Sequence, residues 1–283
     1  MKKRLESSIQ IATVNMDLIG QVALVVHSEN FLKENSPLPK NMNPIFIVPH
    51  FMFSVNLTST PESTVSTKNS MKRRVKMKII QPDVKLINAP DYASTLSLIE
   101  QAGRTCYKSE SKITSDSAEK FVRNILKRGH EAVIEHASLT VRFTCDRGVS
   151  HEIVRHRLAA YCQESTRYCN YSKDTFGSEI TVIKPCSLEY GSRGYDLWAS
   201  ACEQAEKAYF DLLAWGCTPQ EARAVLPNSL KTEVVMTADL REWRHFLRLR
   251  CSPAAHPDMR VVAFMLLVLL KKTYPVFFED IEV

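Results

Sequence analysis

From Ser138 to Cys145, Leu139, Val141, Phe143 and Cys145 fall at every second position, with serine, threonine and arginine between them. Successive side chains of a strand point to opposite faces, so this stretch predicts a strand with one buried face and one polar face. The segments around it carry the longer helical period. Residues 91–107 place Leu96, Ile99 and Ala102 on one face. Residues 115–130 begin with Asp116 as N-cap and Glu119 at N3, and end at Gly129. A short helix is expected over residues 148–158 and a long amphipathic one over 195–216, closed by Gly216. Another helix starts from Thr218 as N-cap with Pro219 at its first position, and two more cover 240–250 and 257–274. Strands are expected from Met77 onward, over 179–185 and over 231–239. Helices and strands alternate irregularly, which predicts an α/β chain of the α+β type rather than a regular βαβ repeat.

Residues 1–76 read differently. They are rich in Pro, Asn, Ser and Thr and lack an apolar period apart from the isolated patch 45–55, so they are expected to be a poorly ordered extension. Met71 and Met77 both stand as alternative starts, and the domain proper is expected over 77–283. The extension carries ten Lys/Arg against five Asp/Glu, while the rest carries 27 against 26. A surface made for a long polyanion is therefore not indicated, and no nucleic-acid partner is expected. The longest apolar run, Val261–Leu270, is too short for a bilayer, and no export signal or membrane association is read. The eight cysteines form no C-x-x-C pair, which points to reduced thiols and a cytoplasmic location.

Neither standard phosphate-binding glycine loop is present, so side chains must hold any nucleotide. The His-Glu pairs at 130–136 and 151–156 do not have zinc spacing. His151 and His156 are five residues apart, about 140° round a helix, and no metal is expected. The triplet Arg155, His156, Arg157 admits three readings: a solvated helix face, a nucleic-acid contact with Tyr161 and Tyr168 as stacking rings, or a set of arginine forks for defined phosphates. On a helix the two arginines would point in different directions and serve two anions.

The stretch Arg155–Ser165, with Arg-His-Arg followed by a serine, resembles the signature of the flavin-dependent thymidylate synthases. Three further segments resemble that family in the same order: Arg128–Phe143, Glu221–Pro227 and Leu240–Arg260. The resemblance covers Met77–Val283. It implies a mixed sheet core flanked by helices, and a homotetramer with active sites shared between subunits. It also implies conversion of dUMP to dTMP, with methylenetetrahydrofolate as carbon donor and NADPH reducing a bound FAD.

Carried over position by position, the resemblance places Arg155, His156 and Arg157 on FAD, with Arg155 also near dUMP. Cys106, Ser138, Gln163, Asp239, Arg241, His245 and His256 join them as flavin positions. Ser165, Thr166 and Arg167 match the loop that grips the dUMP phosphate, with Arg223 on the same side. Arg250 matches the arginine on the uracil ring, and His136 a histidine near folate and flavin; with Ser165, these are expected nearest the chemistry. The chain also departs from the family. Gln163 stands where a glutamate is usual, and Glu164 directly precedes the serine. Glu152 stands where a glutamine is usual. Glu152, Gln163 and Glu164 all remain candidates for the base. The family's route needs no enzyme thiol, so Cys162 is read as a small buried apolar residue rather than a nucleophile.

Overall fold

The computed structural model describes residues 77–173 and 177–282, together with the backbone of four strands nearer the N-terminus. Those four are β1 (Ile11–Val14), β2 (Val22–Val25), β3 (Phe46–Val48) and β4 (Phe51–Ser54), an antiparallel sheet in the order β1-β2-β4-β3. They belong to a separate unit, Met1–Met71. The expectation of a poorly ordered extension over residues 1–76 lies otherwise outside the described residues.

In the second unit the apolar run after Met77 is two strands, not one. β5 (Lys78–Ile80) and β6 (Asp83–Asn88) are split by Gln81-Pro82, where proline removes a ladder donor, and they enter different sheets. Then come α1 (Tyr92–Thr105), α2 (Ser117–Lys127), β7 (Ser138–Asp146), α3 (Arg147–Ile153), β8 (Ala159–Gln163) and β9 (Thr181–Ile183). The chain continues with α4 (Arg193–Ala214), α5 (Pro219–Ala222), β10 (Lys231–Asp239), α6 (Leu240–Arg250), α7 (Pro257–Thr273) and α8 (Pro275–Phe278). The main sheet is antiparallel in the order β6-β7-β10-β8, and β5 pairs with β9 in parallel.

β7 and β10 form the centre of the main sheet. They pair over nine residues, from Ser138 opposite Asp239 to Asp146 opposite Lys231. The alternation in the sequence sets their faces. Leu139, Val141, Phe143 and Cys145 are buried from β7, and Thr232, Val234, Met236 and Ala238 from β10. Each large side chain buried this way contributes roughly 1.5–3 kcal/mol. Trp243, Phe246 and Leu247 of α6 and Val262, Leu266 and Leu270 of α7 belong to the same core cluster. A second, smaller core gathers Tyr209 and Cys202 of α4 with Tyr171, Val182 and Leu230.

The helix ends follow the expected chemistry with one exception. Gly216 ends α4 at φ +108°, a conformation that L side chains rarely adopt. Thr218 caps α5 in a capping box, its N–H donating to the Glu221 carboxylate at 2.8 Å. Asp116 holds the N-cap position of α2, but its side chain accepts from the Thr114 hydroxyl instead of a helix N–H. Among the described residues no helix is long and apolar enough to cross a membrane.

Candidate active site

The expected helix through Arg155–Arg157 ends early. α3 stops at Ile153, and the triplet turns off it toward β8. The two arginines therefore lie on a turn between α3 and β8 rather than on a helix. Arg155 and Arg157 are exposed, and His156 between them is buried. Neither guanidinium has a carboxylate partner among the described residues. The pairing register brings Ala159 opposite Ala238 and Ser138 opposite Asp239. The triplet, Ser138, Asp239 and Arg241 therefore gather at one end of the sheet. His136 ends the 3-10 turn Glu131–His136 just before Ser138 and is exposed. Arg241 pairs with Glu135, and Asp239 caps α6, its carboxylate accepting from the Glu242 N–H at 2.8 Å.

Inward of this edge lies a linked polar chain. His156 Nδ1 is 2.8 Å from Glu242 Oε1, with both side chains almost fully buried. Arg250 Nε donates to His156 Nε2 at 3.1 Å. The other guanidinium nitrogens donate to Glu152, one to its carboxylate and one to its carbonyl, each at 2.7 Å. Tyr161, from β8, donates its hydroxyl to the carbonyls of His156 and Ile153. Burial pushes His156 below its ordinary value, against the pull of Glu242 and with the added charge of Arg250. The imidazole is thus neutral near pH 7. His245, one helical turn along from Glu242, stacks edge-on to it at 5.5 Å.

At the far end of β8, about 13 Å along the strand from Ala159 to Gln163, the loop Glu164–Arg167 begins. Glu164 accepts from Lys231 at 2.9 Å and from Tyr171 at 3.3 Å, while Gln163 donates to Ser150 at 3.0 Å. Ser165 Oγ accepts from the Arg167 N–H at 3.3 Å. Thr166 is buried and accepts from Arg223 at 3.2 Å. Arg167 is exposed, its guanidinium over the Tyr168 ring at 5.5 Å. Thr166, Arg223 and Asn228 line a cavity of about 240 Å³ together with Arg147.

Several sequence expectations are corrected or extended here. Cys162 is exposed, not buried, because it pairs with Val235 on the face of the sheet opposite to the buried Val234 and Met236. β8 itself was not anticipated; its five residues carry no apolar alternation. Cys106 and His256 stand apart from the clusters above. Cys106 is exposed at the C-terminal end of α1, in an open cavity of about 1020 Å³ with Lys112, Lys120 and Arg128. His256 is the N-cap of α7, its ring accepting from the Asp258 N–H. Two residues were missed. Arg147 was hidden because "CDRGVS" reads as an ordinary helix start, yet one of its guanidinium nitrogens is buried without a partner, beside Thr166 and Arg223. Glu242 matches no motif position in the sequence, and only its burial singles it out.

Comparisons with known proteins place this geometry in context. The family model described as thymidylate synthase complementing protein matches residues 86–276. A flavin-dependent thymidylate synthase of Geobacter sulfurreducens is 33% identical over 202 residues, 69% of this chain and 84% of that protein. One from Mycobacterium bovis is 35% identical over 205 residues, 66% of this chain and 80% of that protein. Among solved structures, a UMP/dUMP methylase PolB from Streptomyces cacaoi, bound with 5-Br dUMP, aligns with a TM-score of 0.58 at 22% identity. The alignment covers 71% of this chain and 95% of that one. At that identity the likeness concerns the fold.

Proposed function

The chain belongs to the thymidylate synthase complementing protein family, the flavin-dependent thymidylate synthases, and from that premise we propose that residues 77–283 convert dUMP to dTMP with methylenetetrahydrofolate, NADPH and FAD. The observation that carries the site assignment is the uneven pairing of the arginines. Arg104, Arg123, Arg241, Arg244, Arg248 and Arg250 each meet a carboxylate within 3.1 Å. Arg147, Arg155, Arg157, Arg167 and Arg223 meet none among the described residues; Arg128, Arg193 and Arg260 meet none either, so the pairing supports the assignment only together with the motif positions. Uncompensated guanidiniums on a nearly neutral domain suit ligands that bring their own negative charge.

On this reading Arg155 and Arg157 hold the FAD phosphates, assisted by Cys106, Ser138, His156, Gln163, Asp239, Arg241, His245 and His256. Bound there, the flavin supplies the hydride that completes the methyl group. Ser165, Thr166, Arg167 and Arg223 hold the dUMP phosphate, and Arg147 joins them from the same cavity. Arg250 faces the uracil ring, where its fixed positive charge stabilises negative charge developing at the ring oxygen. Of the three candidates for the base we favour Glu152. Glu164 is bonded to Lys231 and Tyr171 and Gln163 to Ser150, away from Arg250, whereas Glu152 accepts from Arg250 itself at 2.7 Å and shares its place at the ring. A carboxylate only accepts, which matches the ring N–H of uracil. His136 lies at the folate side.

The triplet end and the phosphate end are separated along β8. That separation favours a homotetramer in which one chain supplies the first half of each site and a neighbour the second. The eight free cysteines fit a reducing cytoplasm. Residues 1–76 are read as an extension that catalysis does not need, and a chain begun at Met77 should keep flavin and turnover. The central test is a visible spectrum and a product assay. The purified protein should be yellow, bleach with NADPH, and form dTMP from dUMP and methylenetetrahydrofolate. A colourless protein that stays colourless with added FAD would overturn the proposal.

A further inference from the structure

We propose that Glu242 is a positioning residue that acts through His156 to fix the direction of Arg250, an inference that rests on the reading of Arg250 given above. An imidazole with a single proton can donate from one nitrogen only, and the hydrogen bond at one nitrogen decides the role of the other. The Glu242 carboxylate, 2.8 Å from Nδ1, can only accept. The proton therefore sits on Nδ1, and the Nε2 lone pair is free. Arg250 Nε–H points at that lone pair from 3.1 Å. With one edge of the guanidinium on His156 and the rest on Glu152, its plane is fixed by groups on α3 and on the turn after it.

Without Glu242 the Nδ1–H loses its acceptor, and only the Arg250 Nε–H at Nε2 still favours that tautomer. The imidazole would be freer to carry its proton on Nε2, where N–H would face N–H of Arg250. The guanidinium would then turn away, although no atom that touches substrate had been changed. The residues around the imidazole agree with this role. Phe246 packs on the ring at 4.8 Å and keeps it from rotating, and Tyr161 anchors the backbone behind it. Glu242, His156 and His245 also bring three possible metal-ligand atoms within 4.8 Å of one another. A guanidinium at Nε2 and a carboxylate at Nδ1 already engage both nitrogens of the central histidine, so hydrogen bonding is the stronger reading.

The test is a mutant cycle on the full-length flavin-bound protein. Glu242→Met should lower kcat on the order of ten- to a hundred-fold, with flavin content and dUMP KM changed far less. Glu242→Gln keeps an oxygen acceptor for Nδ1–H and should restore kcat to within a few-fold of wild type. In an Arg250→Ala background, Glu242→Met should add almost nothing, because the group it positions is gone. An equal further drop in that background would overturn the positioning role, as would loss of flavin in Glu242→Met that Glu242→Gln does not repair. A stoichiometric metal that leaves with Glu242→Met would overturn it too, in favour of a metal site. Wild-type kcat in Arg250→Ala alone would instead refute the reading of Arg250, a result distinct from all of these.

Discussion

At one end of β8 the Arg250 guanidinium is held by three protein acceptors, two from Glu152 and one from His156. At the other end Arg223 meets one hydroxyl, Arg167 a tyrosine ring, and Arg147 leaves a buried nitrogen unpartnered. Around Arg250 the first end is finished by the protein itself: that charge is compensated by Glu152 and its angles set, which suits a planar ring whose orientation matters, while Arg155 and Arg157 at the same end stay without a carboxylate. The second end is left short of negative charge, which suits a phosphate dianion that supplies it. The same residue type thus serves two purposes, and pairing tells them apart where the sequence does not.

The sharpest way to break the comparison is Arg250→Ala. If the ordered end acts on charge that develops during the reaction, kcat should fall about 100- to 1000-fold, with a smaller change in dUMP KM. Steady-state kinetics at saturating folate and NADPH decide it. A mutant that changes only KM would make Arg250 another anchoring group and remove the distinction between the ends.

Arg244 offers a control on the same helix. Its side chain is fully buried and bonded to Asp280, Glu131 and the Phe277 carbonyl. Arg244→Ala leaves the Phe277 carbonyl without its donor and Glu131 and Asp280 to Arg248 alone, and should cost about 2–4 kcal/mol, a fall in Tm on the order of 5–10 °C. KM of the protein that remains folded should be unchanged. The same cluster sets an acid limit. Burial alone would raise Glu131 and Asp280, but hydrogen bonds and charge from Arg248 and Arg244 hold both below the ordinary carboxylate range. Carboxylates depressed in the folded state stabilise it above their unfolded pKa, and this contribution is lost as pH falls through the folded values. His156 adds to the same slope from nearer neutrality, because a buried neutral imidazole resists the proton that the unfolded chain accepts below about pH 6.5. Thermal melts should therefore decline from pH 6.5 downward and steepen below pH 4.

The open end is tested by Arg223→Ala, Arg167→Ala and Arg147→Ala. Each removes a charge-assisted contact worth roughly 1.5–3 kcal/mol, about ten- to a hundred-fold in affinity, felt equally in ground and transition states. The dUMP KM should rise by that factor and kcat should hold. Deoxyuridine, which lacks the phosphate, should bind all three variants and the wild type alike. A lowered kcat with unchanged KM in Arg223→Ala would show that the two ends are not divided as described.

How much of this was legible beforehand depended on the range of the signal. The central strands β7 and β10 and helices α4, α6 and α7 were readable because period and caps are local. β8 was not, since five residues without alternation owe their strand to the neighbour they pair with. The position of Arg155 and Arg157 could be inferred from motif resemblance. The Glu242–His156–Arg250 chain could not, because it joins residues 86 and 94 positions apart in sequence. The exposure of Cys162 is hidden for a related reason: its face is set by the register with β10, where it meets Val235 on the side away from the core.

Cys162 provides the smallest expected effect and a check on the chemistry. It lies on β8 between the two ends, opposite Val235, and its thiol is exposed. Exposure makes it available in principle for covalent attack on a pyrimidine, as a cysteine-dependent route would require. Availability is not activation, however. A thiol becomes a good nucleophile when a neighbouring cation, helix N-terminus or general base stabilises the thiolate. Its neighbours in sequence, Tyr161 and Gln163, point to the opposite face, its cross-strand partner is the apolar Val235, and among the described residues no base or cation is bonded to the thiol. Cys162→Ala should therefore keep kcat and dUMP KM within about two-fold of wild type, the range expected of a surface change that removes no strong interaction. The assay is dTMP formation with a parallel search, by intact-protein mass, for a nucleotide adduct. Abolished turnover together with an adduct trapped on the wild-type thiol would replace the flavin route by cysteine catalysis, and the strand between the two ends would itself be the reacting part of the site.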